Sequence, residues 1–239
     1  MKKYAKLPIE FEVSLLQQEL VICAAAWTDH FNTGYYTGNW SGIPLRSPQG
    51  KNHSISAGNS SSVDFADEAI LAHLTYTRSV IDAIQAPKSA VRYLRLTPGS
   101  EIKPHKDFDL VFWDGFVRLH IPVLTNDQVK FSVENEILNM KEGECWFADF
   151  SKTHSVINHG ETDRVHLVID CQVNDWLREL FVNAGVIQPD ESAPTEMETY
   201  DNATKLMIIE QLEAQGTKKS LAIAMNMREK MNTESLSPK

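Results

Sequence analysis

From Ala90 onward the apolar residues of this chain recur at every second position, and this period constrains the fold more than any single residue. Alternate residues of a strand share a face, so strict alternation describes a strand with one apolar side. Val91 to Leu96 runs into Pro98-Gly99-Ser100 as a strand ending in a turn, and Ile102 to Asp109 forms a short strand and loop. Over Gly115 to Leu124, Val117, Leu119, Ile121 and Val123 take one face while Phe116, Arg118 and His120 take the other. Val129, Phe131 and Val133 repeat the pattern, followed by Ile137 to Met140 and Glu144 to Phe150. Val165, Leu167, Ile169 and Cys171 then alternate with Arg164, His166, Val168 and Asp170, after a turn at Asn158-His159-Gly160. Short strands with turns roughly every ten residues predict a sandwich or barrel, not a βαβ sheet. The expected class is mainly β with flanking helices, built as a double-stranded jelly roll.

Helical spacing brackets that block. Leu15, Leu16, Leu20 and Val21 predict a helix over Val13 to Ala26, and Ile70, Leu71, Leu74 and Val80 predict one over Ala66 to Ala83, stopped by Pro87. Thr28 to Arg46 is rich in aromatics and glycine, which suits short strands and loops beside a pocket, and equally an ordinary hairpin with buried rings. Ser47 to Asp64 reads as a solvated loop. A helix follows Asn174-Asp175 to about Ala184, then a linker over Pro189 to Pro194 and a two-helix pattern from Thr199 to Met231 around Gly216. Residues 1–188 are therefore expected to form one domain, with 189–239 a helical extension suited to a homodimer contact.

The formal net charge of -9 repels polyanions, which argues against nucleic acid as a partner. Glu10 and Glu12 follow the basic start where a signal peptide would continue apolar, and no run approaches the roughly 18 to 20 apolar residues of a spanning helix. No membrane attachment is expected. Three widely spaced cysteines, Cys23, Cys145 and Cys171, do not make a disulfide framework or a cysteine zinc site, and a reducing, cytoplasmic setting fits them.

The chemistry is expected in Pro104-His105-Lys106-Asp107 and in His154. At i and i+2, His105 and Asp107 can present an imidazole nitrogen and a carboxylate oxygen to one point. His154, from a strand that the roll brings across, can supply a third ligand. Two histidines and a carboxylate on one face hold Fe(II) and leave three positions open for a chelating cosubstrate and O2. With 8 histidines in the chain such matches arise by chance, and a turn with solvated polar residues explains His105 and Asp107 as well. Arg164 adds weight, because a rigid fork of donors beside the site suits the far carboxylate of 2-oxoglutarate. Arg118 with His120, and Arg164 with His166, lie on polar faces of otherwise apolar strands; these faces either line a wet cavity or form the solvent side of a half-buried sheet.

The motifs V-R-Y-L-R-L-T-P-G-S, P-H-K-D, V-R-L-H-I-P-V-L-T-N, G-E-C-W-F-A-D-F, H-S-V-I-N and D-R-V-H-L-V-I-D-C, between Val91 and Cys171, together resemble the aspartyl/asparaginyl β-hydroxylase family of Fe(II)/2-oxoglutarate oxygenases. His30 to Arg46 also looks like the N-terminal part of bacterial members. The resemblance implies a double-stranded β-helix of cupin-like form, iron held by His105, Asp107 and His154, and cosubstrate held by Arg164. It places Arg118 and His120 in the pocket against cosubstrate or substrate. Retention of Asp107 places the chain nearer the bacterial hydroxylases of free or N-substituted amino acids, proline included, so the expected partner is a small amino acid or derivative. The rival is a non-catalytic cupin-like module that binds a metal or small molecule.

Overall fold

A computed structural model of the chain describes residues 1–50, 55, 63–107, 110–189, 191, 202–215, 220–221, 224–225 and 227–228. The chain divides into two compact units, Met1–Glu191 and Ser192–Lys239. The first contains β1 (Tyr4–Glu10), α1 (Val13–Ile22), β2 (Thr28–Asp29), β3 (Tyr36–Thr37), β4 (Trp40–Pro48), β5 (Phe65–Asp67), α2 (Thr75–Ala83), β6 (Lys88–Leu96) and β7 (Glu101–His105). It continues with β8 (Phe116–Leu124), β9 (Val129–Val133), β10 (Glu136–Leu138), β11 (Glu144–Ala148), β12 (His154–Asn158), β13 (Arg164–Gln172) and α3 (Asp175–Asn183). In the second unit α4 spans Asn202–Gln215.

A large sheet has the order β1-β11-β8-β13-β6-β4-β2, with β5 beside β4, and a small sheet the order β10-β9-β12-β7-β3. From β6 onward the chain crosses repeatedly between them: β6, β8, β11 and β13 belong to the large sheet, and β7, β9, β10 and β12 to the small one. With antiparallel pairing between neighbours, this winding is the double-stranded jelly roll.

The large sheet is covered on both faces. Leu119, Ile121, Leu167 and Ile169 pack with Leu16 and Leu20 of α1, Val80 and Ile81 of α2, and Leu177 and Phe181 of α3. Each such side chain contributes about 1.5–3 kcal/mol on burial. The opposite face meets the small sheet, where Leu94, Leu96 and Val168 join Phe131, Val133, Ile102 and Val156. Alternation therefore sends the polar residues of β8 and β13 into the roll: Arg118, His120, Arg164, His166 and Asp170 are at most 7% exposed. The solvent-face alternative fails for these strands.

Two helix boundaries differ from the sequence reading, and two strands, β1 and β5, are additional. The first helix stops at Ile22, capped at Cys23. Helix α2 begins only at Thr75, because Phe65–Asp67 pairs with Pro48, Ser47 and Arg46 of β4 and Ala69–His73 is a 3-10 turn. Strand β1 pairs with β11, yet only Leu7 of its residues is buried, so its alternation is too weak to read. Asn174 caps α3 by accepting from the Leu177 amide at 3.0 Å. Most of Ser47 to Asp64, part of the expected linker and Gly216 lie outside the described residues.

Candidate metal and cosubstrate site

His105 closes β7 and His154 opens β12, and the two face each other across neighbouring strands of the small sheet. Their ring centroids are 4.2 Å apart. Asp107 lies just beyond the strand end, its amide donating to the Phe150 carbonyl at 2.9 Å. One ligand atom from each of His105, Asp107 and His154 lies within 4.8 Å of the others. The Nδ1 atoms of His105 and His154 meet the carbonyls of Lys103 and Lys152 at 2.8 and 3.0 Å. A carbonyl only accepts, so each Nδ1 carries the proton and each Nε2 keeps a bare lone pair, the arrangement a metal-ligating histidine needs.

The remaining carboxylate oxygen is held from behind. Arg118 donates from NH1 to Asp107 Oδ2 at 2.5 Å, and from Nε and NH2 to Asp170 at 2.7 and 3.1 Å. Arg92 adds a bond from NH1 to Asp170 Oδ2 at 3.0 Å. Burial pushes both carboxyls upward, but the guanidiniums outweigh it: Arg118, with His154 and His105, holds Asp107 below the ordinary range, and Arg118 with Arg92 holds Asp170 there. Burial, reinforced by His105, lowers His154 to about 4 and leaves it neutral at pH 7.

Arg164 is the contrasting cation. It is 2% exposed, its Nε has no partner, and NH2 donates to His166 Nδ1 at 2.8 Å. Among the described residues no carboxylate pairs with it, and burial alone lowers it to about 9. Its guanidinium lies 5.6 Å from the Phe131 ring centroid. A buried unpaired charge is costly and implies an anion from outside. His120 stacks on Phe150 at 5.0 Å, approaches His166 Nδ1 through its own Nδ1 at 3.1 Å, and leaves Nε2 without a partner.

An aromatic wall completes the pocket. His30 lies flat on Trp40 at 3.5 Å, Phe31 stacks on His30 at 4.6 Å, and Tyr35 tilts toward His105 at 5.3 Å. The turn that delivers Trp40 needs Gly38: φ is 79°, and a Cβ there would meet Ser100 Oγ at 2.2 Å. The cavity, about 330 Å³, is lined by all six candidates from the sequence, His105, Asp107, His154, Arg118, His120 and Arg164. It is also lined by His30 and Trp40, from the aromatic segment expected beside a pocket, and by Arg92, to which the sequence reading gave no role. Arg92 was visible in the V-R-Y-L-R-L alternation, whereas nothing in the spacing announced the stack of His30 on Trp40.

Together these features define a jelly-roll protein with a two-histidine, one-carboxylate cluster and a separate buried arginine in one pocket. The family model described as aspartyl/asparaginyl beta-hydroxylase matches residues 18–173, and the chain belongs to that family. The L-proline cis-4-hydroxylase of Rhizobium meliloti (strain 1021) is 41% identical over 85 residues, covering 34% of this chain and 30% of that protein. This match thus spans less than a third of that relative's length. L-proline cis-3-hydroxylase 2 of Streptomyces sp is 24% identical over 200 residues, covering 79% of this chain and 67% of the relative. Among solved structures, an oxidoreductase of the 2OG-Fe(II) oxygenase family from Burkholderia pseudomallei has 14% identity and a TM-score of 0.49, over 72% of this chain and 86% of that one. Among the described residues no helix is long and apolar enough to cross a membrane.

Proposed function

We propose that the protein is an Fe(II)- and 2-oxoglutarate-dependent dioxygenase that hydroxylates an unactivated C–H of an amino acid or derivative, proline being the first candidate. The observation that carries this reading is Arg164, a buried cation without a carboxylate partner among the described residues, lining the same cavity as the His105, Asp107 and His154 cluster. The cluster fits Fe(II): two bare Nε2 lone pairs and one carboxylate oxygen form a mixed set with open positions. Fe(II) bound there would supply dioxygen activation for the C–H oxidation, as 2-oxoglutarate is converted to succinate and CO2.

The chain's own residues bind, orient and exclude water. Arg164 takes the far carboxylate of 2-oxoglutarate, with Phe131 beside it keeping the contact dry. Arg118 spends three of its five N–H groups on Asp107 and Asp170. Its remaining donors, with Arg92, are assigned to the substrate carboxylate, and His120 lines the same cavity against cosubstrate or substrate. The stacked rings of His30, Phe31 and Trp40 offer an apolar wall to the body of a small substrate. Three buried unpaired thiols support a reducing, cytoplasmic location.

The test is a screen of amino acids, N-acyl amino acids and short peptides for Fe(II)-dependent succinate formation. A substrate-stimulated burst is expected. Metal and 2-oxoglutarate binding without turnover across the screen would instead favour a binding module.

A further inference from the structure

We propose that His166 is the positioning residue for Arg164, holding its guanidinium in the orientation that meets 2-oxoglutarate while fixing the tautomer of His120. The inference rests on the reading of Arg164 given above and goes beyond it, because His166 touches neither the metal cluster nor, on this account, the cosubstrate.

The geometry dictates which atoms carry protons. Arg164 and His166 are two residues apart on β13 and share its inward face. Arginine has donors only, so the 2.8 Å contact from Arg164 NH2 requires a lone pair on His166 Nδ1, which puts the His166 proton on Nε2. His120 Nδ1 lies 3.1 Å from that same His166 Nδ1. Two bare nitrogens would repel there, so His120 Nδ1 is the donor and the unpartnered His120 Nε2 is an acceptor. In this state His120 Nε2 can accept a hydrogen bond but not donate one. Burial, with Arg164 alongside, keeps His166 well below the usual histidine range, so it stays neutral and its lone pair persists at pH 7.

The energetic role follows from freedom. An arginine side chain carries about 2 kcal/mol of rotamer entropy. Among the described residues the bond to His166 is the one hydrogen bond the Arg164 guanidinium makes. It ties one N–H and leaves Nε and NH1 for the incoming carboxylate, so part of the ordering cost precedes binding.

The experiment measures 2-oxoglutarate affinity by calorimetry on the full chain loaded with Mn(II), alongside steady-state kinetics with Fe(II). His166→Leu, which removes the acceptor, should weaken 2-oxoglutarate binding about tenfold and raise its KM with little change in kcat, while Mn(II) affinity holds. His166→Gln, whose side-chain carbonyl accepts, should recover affinity to within about threefold of the unmodified protein. Arg164→Leu separates the two levels. If it binds 2-oxoglutarate like the unmodified protein, the assignment of Arg164 itself fails. If Arg164→Leu loses binding while His166→Leu keeps it, or if the Leu and Gln variants are equally impaired, the positioning role is overturned. Nitrogen NMR of labelled imidazoles in the unmodified protein gives an answer independent of whether any variant folds. A bare Nδ1 and protonated Nε2 on His166 are expected, and a protonated Nδ1 there overturns the proposal.

Discussion

Arg118 NH1 lies 2.5 Å from Asp107 Oδ2, so the carboxylate of the candidate metal cluster is aimed by a guanidinium that Asp170 itself pins through two bonds. Substitution at Arg118 therefore acts on three things at once. Arg118→Ala leaves Asp170 to Arg92 alone and releases Asp107, and breaking a buried pair in this way costs about 3–5 kcal/mol. A lowered Tm, weaker Mn(II) binding and a raised amino-acid KM are expected together, with the 2-oxoglutarate KM less affected. Thermal melts and metal titrations check this, and unchanged metal affinity would contradict the aiming role.

Arg92 differs because, among the described residues, its guanidinium makes one bond, to Asp170, and it lines the cavity. Arg92→Gln should raise the amino-acid KM about tenfold while moving the 2-oxoglutarate KM by less than about threefold. Equal effects on both constants would remove Arg92 from the substrate subsite.

The buried histidines set a pH dependence of stability in the metal-free protein. Burial, reinforced by His105 for His154 and by Arg92 for His30, lowers each to about 4, and burial with Arg164 nearby holds His120 and His166 well below the ordinary value. Unfolded, all four titrate near about 6.5. The unfolded chain therefore takes up protons first. The stability these groups confer is complete above about pH 6.5; that from His154 and His30 is lost as pH falls through about 4, and that from His120 and His166 is lost on acidification as well. Asp107 and Asp170, held below the carboxylate range, add stability that is lost only at lower pH still. Urea midpoints should be level between about pH 7 and 8 and decline steadily below about pH 6.5. A midpoint that rises on acidification would contradict the neutral, buried state of these imidazoles.

All three cysteines are buried, and burial raises Cys23 to about 11, Cys145 to about 12 and Cys171 upward as well. Thiolate is the reactive form. A thiol reagent at neutral pH should therefore modify the folded protein negligibly and all three cysteines once it is unfolded. Rapid modification of the native chain would mean that at least one cysteine is accessible.

Strand periodicity made the jelly roll legible, because β8 and β13 alternate without interruption and each alternate face has a distinct destination. The apolar side of Leu119 and Leu167 lies under helices, and the polar side of Arg118 and Arg164 faces the cavity. Side-chain partnerships across strands were not legible in the same way. The contact of His166 with Arg164 sat at i+2 and was open to reading, but the convergence of Arg92 and Arg118 on Asp170 depends on the register of β6, β13 and β8, which one sequence does not state. The stack of His30 on Trp40 depends on the backbone at Gly38, and the late start of α2 depends on β5 being captured by β4. In each case tertiary pairing overrode local pattern.

L-Proline under isotope-labelled dioxygen tests whether an amino acid is oxidised in this pocket with Fe(II) and 2-oxoglutarate. Fe(II)-dependent formation of hydroxyproline and succinate in equal amounts is expected, with label in both products and loss of both in Asp107→Ala. No labelled product from L-proline or the wider amino-acid set, or full turnover in Asp107→Ala, would rule out amino-acid hydroxylation at this site.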